Sequence, residues 1–261
     1  LLGLVLGGAI LQATHAGDVA LAGYVVAFGI AFAARAVSAW FLSRQSEPTP
    51  VPIGDTRISP RAIRHHLRTG GHGRLLAYLL AFQTSVYVAA PFFTPYMLGP
   101  LGYDYVGFTA LTGAAFLSRI FALPLLGRVT KRVGTRRVLR AASIWIVPLP
   151  VAWLVSDSFA WLFAVQLWSG VAWAAFELAS LLSFFEHIPQ HQRTSILSAY
   201  NLANAVAIAV GSALGGWLLH AAGSGVTAYA VLLVASTVVR LGCLPLLRRL
   251  PDVVPASAEP P

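Results

Sequence analysis

The chain has 261 residues, of which 57% are hydrophobic and only 10% are charged, so it lacks the polar surface that a soluble domain of this length needs. The formal net charge of +9 would suit a nucleic-acid-binding protein, but the cations lie in short segments between apolar runs and not along one polar face. A single cysteine, Cys243, excludes an intrachain disulfide and a cysteine-rich metal site. The composition indicates an integral membrane protein that binds no nucleic acid.

Eight apolar runs approach the length of about 20 helical residues that a hydrocarbon core about 30 Å thick requires. In chain order they cover residues 1–12, 21–42, 75–97, 106–127, 140–156, 160–184, 195–220 and 226–248. Leu1 already lies inside an apolar run without the charged start of a signal peptide, so we expect the sequence to begin within a larger protein. Pro91 and Pro95 should bend the third run and free backbone carbonyls there.

The segments between the runs alternate in charge, which predicts the orientation. Segments that follow even-numbered runs contain Arg or Lys, and those that follow odd-numbered runs contain neither. The most basic segment, residues 127–140, has six cations and no acid, and each cation would cost about 2.5 to 3.5 kcal/mol within the bilayer. The positive-inside rule places this segment in the cytoplasm, and the C-terminus with it.

The segment between the second and third runs is long and not apolar. It opens with the proline-rich stretch 47–55, and Ser59-Pro60 then predicts the start of a short basic helix over residues 61–69. This helix should rest on the cytoplasmic membrane surface, or else the segment is a solvated spacer. The expected organisation has four parts: the last two helices of an N-terminal bundle over 1–42, this cytoplasmic linker over 43–74, a six-helix bundle over 75–250, and a disordered cytoplasmic tail over 251–261.

A glycine pattern recurs near the two ends of the chain. Glycines four apart let two helix backbones approach closely in lipid. Each copy is followed by a returning helix that contains an arginine, Arg35 or Arg240, which we expect to extend toward the inner headgroups in a structural role. The first two helices thus look like the end of one structural repeat and the last six like a second. The repeated packing glycines are Gly3, Gly7 and Gly8, and Gly211, Gly215 and Gly216.

The basic segment resembles the signature loop of the major facilitator superfamily, G-x-x-x-D-R-x-G-R-R/K-R/K. Lys131 replaces the acid of that signature and Thr135 replaces an arginine, which argues against a charge relay through this loop. The glycine runs resemble the family's G-P-x-x-G-G pattern, and residues 166–170 resemble its R-x-x-Q-G motif. The residues that match the signature, and with Lys131 form the expected cytoplasmic gate loop, are Gly127, Arg132, Gly134, Arg136 and Arg137.

The resemblance implies a fold and a function. The fold is an all-α membrane protein with a major-facilitator-type helical bundle, in which this chain supplies eight transmembrane helices, the fifth to twelfth of twelve. The function is secondary transport by alternating access, in which two bundles rock about a midplane site. We expect a monomer in the cytoplasmic membrane.

Ionisable residues inside apolar runs are functional candidates because their burial is costly. Glu177 is the only acid among them, and Arg119 falls at nearly the same depth, about 10–12 Å from the inner boundary. Their helices are neighbours in the fold that the resemblance implies, so we expect a buried ion pair or a shared water-filled cavity. Glu177 is then the proton-coupling residue, with Arg119 as its partner. The alternative is a static latch.

Polar residues share helix faces in three of the runs. Gln166, Gly170, Trp173 and Glu177 lie on one face of the sixth run, which we expect to face the bundle interior. Similar pairs occur in the third and seventh runs. Interhelical hydrogen bonding is the alternative to solute binding at each of them. The candidate solute-binding residues are Gln83, Tyr87, Gln166, Trp173, Asn201 and Asn204.

The prediction is a proton-coupled exporter of a small amphipathic organic solute, whose partners are that solute, protons and the lipid bilayer. The alternatives are proton-coupled uptake of an anionic organic solute, and a non-transporting assembly or sensor protein with the same fold. A membrane enzyme is disfavoured. His187 and His191 are spaced as zinc ligands could be, but Pro189 interrupts the helix that would align them. No cofactor and no metal are expected.

Overall fold

All regular structure in the described part of the chain is helical. The computed structural model describes residues 2–16, 20–45, 71–188, 193–223 and 225–248. Over these ranges it has ten α-helices, one 3₁₀ turn and no strand, which confirms the predicted all-α fold class. The predicted basic helix over residues 61–69 and the tail over 251–261 lie outside the described residues.

The helices follow one another with short connections on either side of the undescribed linker. A 3₁₀ turn at Ala90–Phe92 separates the third helix from the fourth. The α-helices in chain order are α1 Leu2–Ala16, α2 Ala20–Ser43, α3 Gly71–Tyr87, α4 Phe93–Leu98, α5 Tyr105–Val133, α6 Thr135–Ile146, α7 Leu149–Ala152, α8 Phe159–His187, α9 Arg193–Ala221 and α10 Val226–Arg248.

Six helical stretches are long and apolar enough to cross a membrane, and they correspond to six of the eight predicted runs. Of the other two runs, the first forms a shorter apolar helix, Leu2–Thr14, and the fifth is divided between α6 and α7. The six stretches are Leu21–Ser43, Gly73–Leu98, Tyr105–Val133, Phe159–Glu186, Ile196–Ala221 and Val226–Leu247.

The fifth predicted run, residues 140–156, is not one continuous helix. Helix α6 begins earlier, at Thr135, and ends at Ile146. Pro148 and Pro150 explain the break, because neither has a backbone N–H to donate to the carbonyl four residues earlier. The break lies within the bundle, next to α8 and α10, and it leaves backbone polar groups there that need other partners.

The basic segment predicted as a loop is almost entirely helical. Helix α5 continues to Val133 and α6 starts at Thr135, so Gly134 alone connects them. Gly134 has a φ of +88°, which glycine adopts without a steric penalty, and its N–H donates to the carbonyl oxygen of Thr130 at 2.9 Å. The segment is therefore a tight helix–turn–helix corner that carries its cations on two helix ends.

The third predicted run bends where its prolines lie. Helix α3 stops at Tyr87, and the chain continues through the 3₁₀ turn that contains Pro91 and then through α4, which contains Pro95. Proline cannot donate to the carbonyl four residues before it, which accounts for the change of direction. Helix α4 packs against α5 after this bend.

A glycine lies at the most extensive contact between two described helices. Helix α5 packs along α8 more extensively than any other described pair of helices. Gly170 of α8 lies so close to the backbone of Ala115 and the hydroxyl of Ser118 that a side chain there would overlap both. This close approach of α5 and α8 is what glycine permits between helices in lipid, where packing drives association.

Helix α9 packs on α3 through two of the predicted packing glycines. A side chain at Gly211 would overlap the carbonyl oxygen of Thr84, and one at Gly215 would overlap that of Val88. Gly216, also predicted, would have only an ordinary contact, 3.6 Å from the ring of Phe92. The second copy of the glycine pattern therefore brings α9 against α3 mainly through its first two glycines.

The first copy of the pattern makes fewer contacts. Gly8 of α1 lies directly against Thr109 of α5. Gly3 and Gly7 have no described atom within 4 Å of where a side chain would begin, so the predicted packing role is not seen there. Both instead border a cavity of about 290 Å³ that α1, α2, α4 and α5 line.

The larger cluster of buried hydrophobic residues in the described part of the chain includes side chains of α3, α6 and α8. Tyr78, Phe82 and Ile146 are fully buried, and the ring of Phe82 lies 4.9 Å from that of Phe176 between centroids. The hydroxyl of Tyr78 is hydrogen-bonded to the hydroxyl of Ser143 at 2.5 Å, which joins α3 to α6. Dense packing and satisfied polar groups of this kind hold helices together in lipid.

Candidate functional site

A cavity of about 430 Å³ opens between α3, α4, α5, α7, α8 and α10. Its wall combines aromatic rings, amide and hydroxyl groups, one carboxylate and one guanidinium. This combination of apolar surface and a few polar groups is typical of small-molecule sites. The lining residues are Gln83, Val86, Tyr87, Ala90, Phe93, Thr94, Met97, Phe108, Thr112, Leu149, Trp153, Gln166, Ser169, Trp173, Glu177 and Arg240.

The polar face predicted for the sixth run borders this cavity. Gln166, Trp173 and Glu177 of α8 all line it, whereas Gly170, on the same face, lies against α5. The spacing of i, i+7 and i+11 places the three side chains on one side of a helix with 3.6 residues per turn. Trp173 also packs edge-on against Phe176, with ring centroids 5.8 Å apart, which fixes its position in the wall.

Gln83 and Tyr87, predicted on α3, lie opposite this face and also line the cavity. Asn201 and Asn204 do not. They belong to α9, none of whose described residues lines the cavity, and Asn201 is exposed. Helix α9 packs against α3 and α10 and contributes no described residue to the cavity wall. The structure thus groups four of the six candidate solute-binding residues.

Arg119 and Glu177 are in contact. A guanidinium nitrogen, Nη2 of Arg119 on α5, donates to Oε2 of Glu177 on α8, and this is the ion pair found among the described residues. The side chains are 35% and 45% exposed, so the pair is only partly buried, and Glu177 also lines the cavity.

Arg240 lines the cavity, and the prediction that it extends toward the inner headgroups is wrong. Its side chain is 2% exposed, and Nη1 donates to the carbonyl oxygen of Ile146 at 3.1 Å. A second, longer contact of 3.5 Å joins Nη2 to the carbonyl oxygen of Val86. The arginine therefore does not extend to the interface. Ser236 lies one turn before Arg240 on the same helix face, and this polar neighbour could have indicated that the face points into the protein; Ser236 is also buried.

An acid from another helix lies beside the signature segment. The hydroxyl of Thr135, at the start of α6, donates to Oε1 of Glu186, near the end of α8, at 2.5 Å. A carboxylate there also interacts favourably with the positive N-terminus of α6. Because Lys131 replaces the family's acid, sequence reasoning found no carboxylate here. In the folded protein, Glu186 provides a carboxylate next to this segment.

The remaining cations of the segment are crowded but solvent-accessible. Lys131, Arg132 and Arg137 are exposed, whereas Arg136 is half-buried. Burial, and then the positive charge of Arg140, lower the pKa of Arg136, although an arginine stays protonated at any physiological pH. Gly127 has open space around it within α5. The predicted gate-loop residues thus lie together at one end of the bundle.

Comparison with known families agrees with this arrangement. Residues 75–261, more than two thirds of the chain, match the family model of the Major Facilitator Superfamily. No curated protein matches the chain. The match begins at the third predicted run and includes the cavity, the ion pair and the signature segment. Together with its apolar helices, this match shows that the chain belongs to the major facilitator superfamily and is a multi-pass membrane transporter.

Proposed function

We propose that this protein exports a small amphipathic organic solute across the cytoplasmic membrane in exchange for protons. The observation that carries the proposal is the Arg119–Glu177 ion pair beside a cavity whose wall combines amides, hydroxyls and aromatic rings. The aromatic and amide groups suit a solute with apolar and polar parts. The acid and its partner belong to different helices, so their contact can change when the helices move.

The proton-coupling role of Glu177 follows from charge balance. While the pair is closed, Arg119 stabilises the carboxylate and Glu177 holds no proton. When α5 and α8 separate at this end, the carboxylate loses its partner and takes up a proton, which makes it neutral. Return of Arg119 releases that proton on the other side of the membrane. Export requires that the solute and the proton occupy the site in turn.

Alternating access in this family has two helical bundles rocking about a midplane site. We propose that residues 1–42 belong to the first bundle and residues 75–250 form the second, with residues 43–74 as the cytoplasmic linker and the C-terminus also cytoplasmic. The excess of cations at the α5–α6 corner supports this orientation. The protein acts as a monomer in this proposal.

Transport by proteoliposomes with an imposed pH gradient tests the proposal. A dye inside the vesicles reports proton movement when 1-naphthalenesulfonamide or 1-naphthalenesulfonate is offered in turn. Glu177→Gln should abolish gradient-driven transport and spare exchange of solute for solute, because the neutral amide cannot release a proton. Asp157→Asn is the matched control, since Asp157 is an acid outside the cavity, and it should transport like the unchanged protein.

Survival of gradient-driven transport in Glu177→Gln would show that the coupling role is wrong. Solute movement in the same direction as protons would favour the second candidate, proton-coupled uptake of an organic anion, for which the guanidinium of Arg240 in the cavity is the specific observation. Absence of any flux would favour a non-transporting protein of the same fold. The polar residues in the cavity wall argue against that reading.

A further inference from the structure

The cavity wall has a positive charge that no described carboxylate balances. Glu177 is paired with Arg119, whereas Arg240 makes no ion pair with a described acid. A cation buried in a membrane-spanning helix is costly unless it has a partner. We propose that the partner of Arg240 is the transported solute, and that this solute is a small organic anion whose acidic group binds the guanidinium. This inference rests on the proposed transport function.

The guanidinium is held in a fixed orientation. Its Nη1 donates to the carbonyl oxygen of Ile146. In a regular helix this carbonyl would accept from the N–H of residue 150, but Pro150 has no N–H, so the carbonyl is available to Arg240. The contact from Nη2 to Val86 adds a second anchor on another helix. A side chain oriented in this way loses little further freedom when a ligand binds, which favours affinity.

Arg240 has further N–H groups that can donate besides those in these two bonds. A guanidinium has five N–H groups, and the two carbonyls account for one each. The Nε–H group is buried and has no partner among the described residues. An ionised acidic group accepts several short, charge-assisted bonds from one guanidinium, and it satisfies donors that neutral carbonyls leave free.

A purely structural role for Arg240 explains less of the geometry. Two neutral carbonyls orient the side chain but do not neutralise its charge, and a neutral donor such as glutamine could serve them without the cost of burying a cation. Glu177, the carboxylate of the cavity wall, is already paired with Arg119. A purely structural role would not require a positive charge that no described carboxylate balances.

The rest of the wall indicates what the anion carries. Phe93, Phe108, Trp153 and Trp173 contribute aromatic surface, and Gln83 and Gln166 contribute amides. A volume of about 430 Å³ lies in the ordinary range for small-molecule sites. The structure therefore favours a flat, largely apolar anion with one acidic group, and it disfavours cationic amphipaths, which Arg240 repels.

Three naphthalene derivatives of different charge test this inference on the unchanged full chain. They are 1-naphthalenesulfonate, neutral 1-naphthalenesulfonamide and 1-naphthyltrimethylammonium, and their binding is measured by titration calorimetry in detergent. We expect the sulfonate to bind about tenfold or more tightly than the sulfonamide, with the ammonium weakest. Equal affinities, a reversed order or no binding of the sulfonate would overturn the inference.

Replacing Arg240 tests whether its guanidinium causes the preference for the anion. Arg240→Gln should bring the sulfonate to within about twofold of the sulfonamide while the sulfonamide affinity stays unchanged, because only the charge contact is lost. Arg240→Lys keeps the charge and should keep a weaker preference for the anion. Arg140→Gln, which removes a cation outside this cavity, is the control and should keep the full preference. A full preference in Arg240→Gln would contradict the inference.

The outcomes separate this inference from the proposed function. Binding is measured at equilibrium, without a gradient, so it does not depend on proton coupling. Glu177→Gln removes a negative charge from the cavity wall, so it should not weaken the preference for the anion, although it loses gradient-driven transport. If the preference holds and transport does not depend on Glu177, the coupling proposal alone fails. If Arg240→Gln does not fold, as judged by circular dichroism and gel filtration, the ligand series on the unchanged chain and on Arg240→Lys still decides.

Discussion

Arg240 donates to the carbonyl oxygen of Ile146 at 3.1 Å, and that carbonyl is the one left without its helical donor by Pro150. One side chain of α10 thus completes the hydrogen bonding at the break between α6 and α7. Its contact with Val86 reaches the end of α3 as well. Because α3, α7 and α10 all contribute to the cavity wall, this arginine connects the shape of the cavity to the positions of its helices.

The first prediction concerns the coupling between Arg240 and Pro150. Pro150→Ala restores an N–H that can serve the carbonyl of Ile146, so the bond from Arg240 becomes less needed. Arg240→Met, which cannot donate a hydrogen bond, should therefore cost about 1 kcal/mol less in the Pro150→Ala background than in the unchanged protein, the size of one buried hydrogen bond. A double-mutant cycle of unfolding free energies, measured by adding denaturing detergent, checks this. Additive effects would contradict it.

The fold class was predictable because membrane crossing leaves a simple signal. Length and hydropathy gave the long helices within a few residues, and the alternating cations gave a consistent orientation. The division of the fifth run was missed although Pro148 and Pro150 are visible in the sequence. The apolar run continues through both prolines, and hydropathy does not register the loss of a backbone donor.

The second prediction concerns the most extensive helix contact, that between α5 and α8. Gly170→Ala should destabilise the protein by about 1–3 kcal/mol, because the new methyl group overlaps the carbonyl of Ala115 and the hydroxyl of Ser118. Separation of α5 from α8 should also lengthen the contact between Arg119, the next residue after Ser118, and Glu177. Unfolding in denaturing detergent and gradient-driven transport measure the two effects.

Gly127→Ala is the matched control for this change. Gly127 is also helical and has open space around it, so alanine there should be neutral or stabilise by up to about 1 kcal/mol through its better helix propensity. Equal effects of the two substitutions would show that the distance between α5 and α8 is not set at Gly170.

The site was only partly predictable, for a geometric reason. Helical spacing correctly placed Gln166, Trp173 and Glu177 on one face, and depth counting brought Arg119 and Glu177 to the same level. Spacing does not say which helix a polar face meets, so Asn201 and Asn204 were grouped with the cavity although α9 lies outside its wall. The positions of these residues depend on contacts between distant parts of the chain.

The third prediction concerns the contact between Thr135 and Glu186, which joins the start of α6 to the end of α8. Thr135→Val and Glu186→Gln should each destabilise the protein by about 1–2 kcal/mol, because each weakens a hydrogen bond to a charged group. The double substitution should cost clearly less than the sum, since both changes remove the same bond. Thermal unfolding of the purified variants measures this, and strict additivity would show that the two side chains act independently.

The fourth prediction concerns orientation. A cysteine at Arg132 should react with a membrane-impermeant maleimide only after the cells are permeabilised, because the cations at the α5–α6 corner hold that end in the cytoplasm. A cysteine at Asp157, an exposed residue between α7 and α8, should react in intact cells. The native Cys243 is buried, so the unchanged protein should give little background. Labelling of position 132 in intact cells, with position 157 protected, would reverse the topology and place the Arg119–Glu177 pair nearer the outer surface. Proton release from Glu177 would then have to run in the opposite direction, because the side on which the pair closes decides where the proton leaves.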